Sequence, residues 1–172
     1  MNSKFLKLFF TIILFSNITF GQTNTFYSIN DELFELPGKW EFIGKIESSA
    51  QWGFSNKKLE HILLINVRSI DIFEFYNKEL SEFELLNKFY TWESESWEKN
   101  ENNIEIEKIE VNEVEKYIIW RLKIKDKNME NYIIHGMKNN KLIGVSLSDN
   151  NKKKPKSRDE KIDFVKKIYF NK

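Results

Sequence analysis

With 172 residues and a formal charge of +1, the chain is long enough to bury one core and too nearly neutral to be drawn as a whole to nucleic acid or acidic lipid. It has no cysteine, which excludes disulfides, thiolate metal sites, a cysteine nucleophile and a lipid anchor on an N-terminal cysteine. Fifteen Phe, five Trp and six Tyr supply core material, so packing alone must hold the fold.

Residues 1–21 read as a secretory signal. Lys4 and Lys7 precede the apolar run from Leu8 to Phe15, and Thr19 and Gly21 place small residues just before Gln22. The run is too short to span a bilayer, which takes about 20 mostly apolar residues. The expectation is export to the periplasm or beyond without a stable membrane anchor. Removal of Lys4 and Lys7 leaves a net charge of −1 on one globular domain over residues 22–172.

Strands are expected near 33–36, 40–46, 51–55 and 59–69, with the proline of "LPGKW" breaking the chain between the first two. In "KKLEHILLINV", His61 shares a strand face with Leu63, Ile65 and Val67 and reads as a strand-end or half-buried residue rather than a ligand. Ser81-Glu82-Phe83-Glu84 is a capping box, with Leu80 and Leu85 placed as a hydrophobic staple. It predicts a helix over 82–99 with Asn100 as its stop. Leu80, Phe83, Leu86, Tyr90 and Trp97 form one stripe at helical spacing, and Leu85, Phe89 and Trp92 widen it. The apolar surface is then about twice the ~100° stripe that a core-facing helix needs. Either loops from the first half cover the excess, or Phe89 and Trp92 stand exposed among Glu82, Glu93 and Glu95.

Four strands follow, over 103–111, 114–125, 129–138 and 141–148, as an antiparallel meander. Ile104 and Ile106 have one parity and Ile109 and Val111 the other, so a bulge is expected near Glu107-Lys108. Asn139-Asn140 as a two-residue turn sets His135 opposite Gly144 and Gly136 opposite Ile143. Each glycine then meets a bulky partner across the pair, and packing accounts for both. In "PKSRDEKIDFVKKIYF", Ser157 and Glu160 make a second capping box, and Ile162, Val165, Ile168 and Tyr169 give that helix its buried stripe. Residues 79–115 are rich in Glu and the tail from Lys152 is rich in Lys, which reads either as solvated faces or as an acidic side offered to a basic partner.

The phrase "FELPGKWEF" at 34–42 resembles the early part of PsbP-like domains. So do "YIIWRLKIKDKNMENYIIHGMKNNKLIGVSLS" and the helix after it, which are similar to that superfamily's sheet and closing helix. The superfamily includes PsbP, Mog and DcrB-like domains. The resemblance implies an α+β fold, an antiparallel sheet of about six to eight strands sandwiched by helices. It also implies a protein that binds, adapts or assists assembly rather than one that catalyses. No functional residue carries over to a position here, and fold alone does not license function.

Motifs for chemistry are few. The dispersed glycines form no phosphate loop, and HExxH, GxSxG and calcium-loop spacings do not occur. Two histidines predict no metal site without a third ligand, and no cofactor is called for. The leading expectation is therefore a non-enzymatic domain acting through protein contact. Phe89, Trp92 and Trp97 would form its contact surface, flanked by Glu93 and Glu95 and facing a protein partner of basic character. A carrier of an apolar small molecule or lipid between helix and sheet is the alternative. A hydrolase using His135 and a glutamate is a third reading, and it requires the two within hydrogen-bond reach in an open cleft.

Overall fold

The structure is a computed structural model that describes residues 24–47 and 49–171, so the segment read as a signal lies outside the described residues. A hairpin of β1 (Thr25–Ile29) and β2 (Glu32–Leu36) forms a two-stranded sheet of its own. Next come β3 (Glu41–Ile46), β4 (Gln51–Asn56), β5 (His61–Ser69) and a 3-10 turn at Ile70–Ile72. Helix α1 (Glu82–Asn100) leads into β6 (Ile104–Asn112), β7 (Tyr117–Ile124), β8 (Met129–Lys138) and β9 (Lys141–Asp149), and α2 (Arg158–Phe170) closes the chain. The large sheet has seven strands in the order β3-β4-β5-β9-β8-β7-β6, all antiparallel.

The central hairpin adopts the register that its turn demands. Asn139 and Asn140 both have positive φ, 52° and 58°, which a type I′ turn requires and asparagine tolerates. His135 pairs with Gly144, Gly136 with Ile143 and Tyr132 with Leu147. β9 also pairs along its whole length with β5, so this hairpin joins the two halves of the sheet. The bulge in β6 falls between Lys108 and Glu110, one residue beyond the expected place, and reconciles the two parities. The β1–β2 hairpin was not anticipated as a pair. Its signal is the Asn30-Asp31 turn, with φ of 47° and 67°.

Both faces of the sheet are covered. On one, α2 lays Val165, Ile168 and Tyr169 against Leu63, Ile65, Ile119, Ile134 and Val145, and the small hairpin adds Ile29, Phe34 and Leu36. On the other, α1 lays Leu85, Leu86 and Phe89 against Ile118, Trp120, Leu122 and Ile133. The alternation along β7 and β8 feeds each core in turn, as a doubly covered sheet requires. His61 and His135 fall on opposite faces, His61 toward Phe164 of α2 and His135 toward Phe89 of α1.

The two glycines of the hairpin are explained by close approaches, one of them different from the cross-strand pairing. A Cβ at Gly144 would collide with Asn66 Oδ1 and lie 2.6 Å from His135 Cδ2. At Gly136 it would run into the Tyr169 hydroxyl of α2 and lie 3.0 Å from the Lys116 carbonyl. The glycine at 136 therefore admits the closing helix, where cross-strand crowding by Ile143 was expected. Gly144→Ala and Gly136→Ala should each lower the free energy of unfolding by roughly 1–3 kcal/mol, as overpacking does. Urea denaturation measures it, and unchanged midpoints would show that Asn66 and Tyr169 move aside.

Candidate functional site

Helix α1 starts where the sequence places it. The Ser81 hydroxyl accepts from the Glu84 amide at 3.3 Å, and the Glu84 carboxylate accepts from the Ser81 amide at 2.8 Å. Glu82 ties this end to the sheet, accepting from the Asn140 amide at 2.8 Å and from Lys116 Nζ at 2.6 Å. The helix is thereby fixed to the turn of the central hairpin, and its next turns lie across β8, β7 and β6.

The five candidate residues on α1 divide by depth. Phe89 is fully buried, edge-on to His135 at 4.8 Å and to Phe73 at 5.2 Å. The segment after β5 covers it, because Phe73 and Phe75 stack at 5.2 Å over the widened apolar face. Trp97 is half-buried at the margin of the same core. Glu93 was expected on the charged rim, but its side chain is only 19% exposed and faces the sheet. Trp92 remains 38% exposed, and Glu95 is exposed.

Beneath α1 lies a polar cluster that the sequence did not assemble. Trp120 donates its indole N–H to His135 Nδ1 at 3.1 Å. An indole only donates, so the neutral imidazole carries its proton on Nε2. That nitrogen stands 3.9 Å from Glu93 Oε2. Burial holds His135 down at about 3, with the Arg68 charge adding to it, so the ring is neutral at physiological pH. Burial likewise pushes Glu93 up to about 7, against the pull of Arg68 and Trp97. The Arg68 guanidinium lies 4.9 Å over the Phe73 ring, and its Nε is buried with no hydrogen-bond partner among the described residues.

The arrangement answers the hydrolase reading. His135 and a glutamate do come together, but at 3.9 Å and with the imidazole 4% exposed, neither hydrogen-bonded nor reachable from an open cleft. Glu93 left one signal in the sequence. It follows Phe89 and Tyr90 and precedes Trp97 at helical spacing, a carboxylate set on the apolar stripe. Arg68 gave none, because which strand would lie beside α1 depends on pairings between distant segments.

What α1 offers to solvent is a groove of about 420 Å³ along its outer edge, where Trp92 and Phe75 meet Asn87, Thr91, Glu74, Glu95 and Lys88. Phe73 supports the Trp92 ring from below, edge to face at 5.4 Å. The space between α1 and the sheet is filled by Leu85, Leu86, Phe89 and Trp120.

The buried pair makes stability depend on pH in a definite direction. A carboxyl raised from 4.5 to about 7 binds a proton in the folded state over a range where the unfolded chain has lost it. The contribution of Glu93 is then greatest below pH ~4.5 and falls as pH rises to about 7, by up to ~3 kcal/mol. His135 acts the other way, withdrawing stability as pH falls from 6.5 toward about 3. Glu93→Gln should therefore stabilise the protein at pH 8 and bring little gain at pH 4. Urea midpoints across that range measure it, and an equal effect at both ends would contradict a protonated Glu93.

No family model matches the chain, and no curated protein sequence matches it either. Among solved structures it is similar to the solution structure of cyanobacterial PsbP (CyanoP) from Synechocystis sp. PCC 6803. The TM-score is 0.56 at 13% sequence identity, over 91% of this chain and 95% of that one. The chain thus has a single-domain, PsbP-like α+β fold, and the resemblance read from its sequence holds at the level of the fold.

Proposed function

We propose that the protein is an exported, non-enzymatic binding or assembly-assisting domain that takes a basic protein segment into the groove beside Trp92. The observation that carries this is Trp92 itself, an indole left 38% exposed on a helix whose other large apolar side chains are buried or half-buried. A tryptophan in a groove rimmed by charge is the usual anchor of a protein interface, because it buries much area at little cost in side-chain entropy. Glu74 and Glu95 outnumber Lys88 in the groove, which favours a partner that presents Lys or Arg next to an apolar residue. A PsbP-like fold is compatible with such work, and the filled layer between α1 and the sheet speaks against an internal lipid carrier.

The test uses a photoreactive phenylalanine at Thr91, in the groove, and the same group at Lys138, on the central turn. Irradiation in cells should give an adduct with one protein from the Thr91 site and none from Lys138. Trp92→Ser should abolish it while leaving the near-ultraviolet circular dichroism of a folded chain. An adduct indifferent to Trp92→Ser, or a small apolar molecule in place of a protein, would overturn the proposal.

A further inference from the structure

The near-neutral net charge conceals a division of the lysines. Three basic residues of α2 are matched to the glutamates of the sheet beneath it. Arg158 meets Glu107 at 2.7 Å, Lys161 meets Glu130 at 3.0 Å and Lys166 meets Glu110 at 2.7 Å. Two of these pairs, Arg158–Glu107 and Lys166–Glu110, join the Lys-rich tail to the Glu-rich segment within the molecule, and all three orient α2 on the sheet.

Six other lysines gather at one end of the sheet. The β4–β5 turn carries Lys57 and Lys58, and the loop between β9 and α2 carries Lys152, Lys153, Lys154 and Lys156. These segments lie side by side: His61 pairs with Asp149, and the Asn150 amide donates to the Glu60 carbonyl at 3.0 Å. Lys57 reaches Glu41 at 2.7 Å in an exposed pair. Lys58, Lys152, Lys153 and Lys154 are exposed and make no ion pair among the described residues.

The loop holds these side chains outward by its own hydrogen bonds. The Asp149 carboxylate accepts from the Asn151 amide at 3.0 Å and from the Lys156 amide at 2.6 Å. The Asn151 side chain accepts in turn from the Lys153 and Lys154 amides at 3.1 and 2.9 Å. His61 Nε2 stands 3.3 Å from the Asp149 carboxylate, anchoring the loop to the sheet. The backbone is set before any partner arrives, so binding need not order it.

We propose that this end of the sheet is a reversible docking surface for an anionic membrane. Every unpaired cation on it is a lysine, while Arg158 beside it is committed to Glu107. Recognition of one carboxylate or phosphate in fixed geometry favours the planar fork of arginine. A row of lysine point charges on a fixed loop matches a field of anionic headgroups, which asks for charge density without geometry. Each lysine near such a surface strengthens binding roughly fivefold at moderate salt.

The test is co-sedimentation of the chain from Gln22, which contains every described element, with phosphatidylcholine vesicles with and without phosphatidylglycerol. Capture is expected only on the anionic vesicles, weakening as salt rises. The triple variant Lys152→Gln, Lys153→Gln, Lys154→Gln should weaken it by roughly a hundredfold, at about fivefold per lysine. Lys78→Gln, Lys138→Gln, Lys167→Gln, with the same change in net charge at exposed positions elsewhere, should leave it nearly as it was. Equal weakening by both triples, or a parent that stays in the supernatant while the anionic vesicles pellet, would overturn the proposal. So would capture on immobilised polyglutamate with no capture on vesicles, which would assign the surface to an acidic protein.

Discussion

The pairing of β8 with β9 is the constraint on which the rest of the molecule hangs. β9 is the strand that joins β3, β4 and β5 to β8, β7 and β6, so its register sets which face every other strand presents. A slip of one residue would exchange the faces. The two-residue turn at positive φ forbids that slip, and the two glycines help to lock it. Gly144 leaves room for Asn66 and His135, and Gly136 leaves room for Tyr169. Helix α1 is tied to the same turn, since the Asn140 amide donates to Glu82. Both covering layers therefore take their position from one hairpin.

That arrangement separates what is sealed from what is offered. His135 is carried under α1, where its ring is oriented by Trp120 and faced by Phe89. A neutral imidazole, a carboxyl that holds its proton to about pH 7 and an arginine over an aromatic ring make a polar layer in which His135 is buried and Glu93 and Arg68 are partly so. Such a layer specifies how a helix seats, at some cost in stability. The features open to solvent are of another kind: an indole in a groove on α1, and lysines fixed on a loop at one end of the sheet. Both suit association, and neither contains a nucleophile with a base beside it.

Much of this fold was legible in the sequence because its signals are local. The capping boxes at Ser81 and Ser157 each involve four residues, and both are formed. The Asn-Asn turn fixed the register of His135 against Gly144, and the parity change in β6 announced a bulge within one residue of its place. What escaped depends on contacts between distant segments. The depth of Phe89 is decided by Phe73 and Phe75, which arrive from a loop with no periodic pattern. Glu93 looked like rim because it is a carboxylate flanking Trp92 and Trp97, yet its spacing to Phe89 and Trp97 put it inside. Arg68 could join it only once β5 lay near α1. The reason for Gly136 is a tyrosine 33 positions away, at residue 169.

The central claim is that His135, at the heart of the polar cluster under α1, is a sealed part of the core. The most direct measurement is nitrogen-15 NMR of the two imidazole rings through a pH titration. The structure predicts that His135 keeps its proton on Nε2 and stays neutral down to a pH near 3. A His135 that titrates close to the ordinary value of 6.5, or that exchanges rapidly between tautomers, would show a solvated ring and contradict the account.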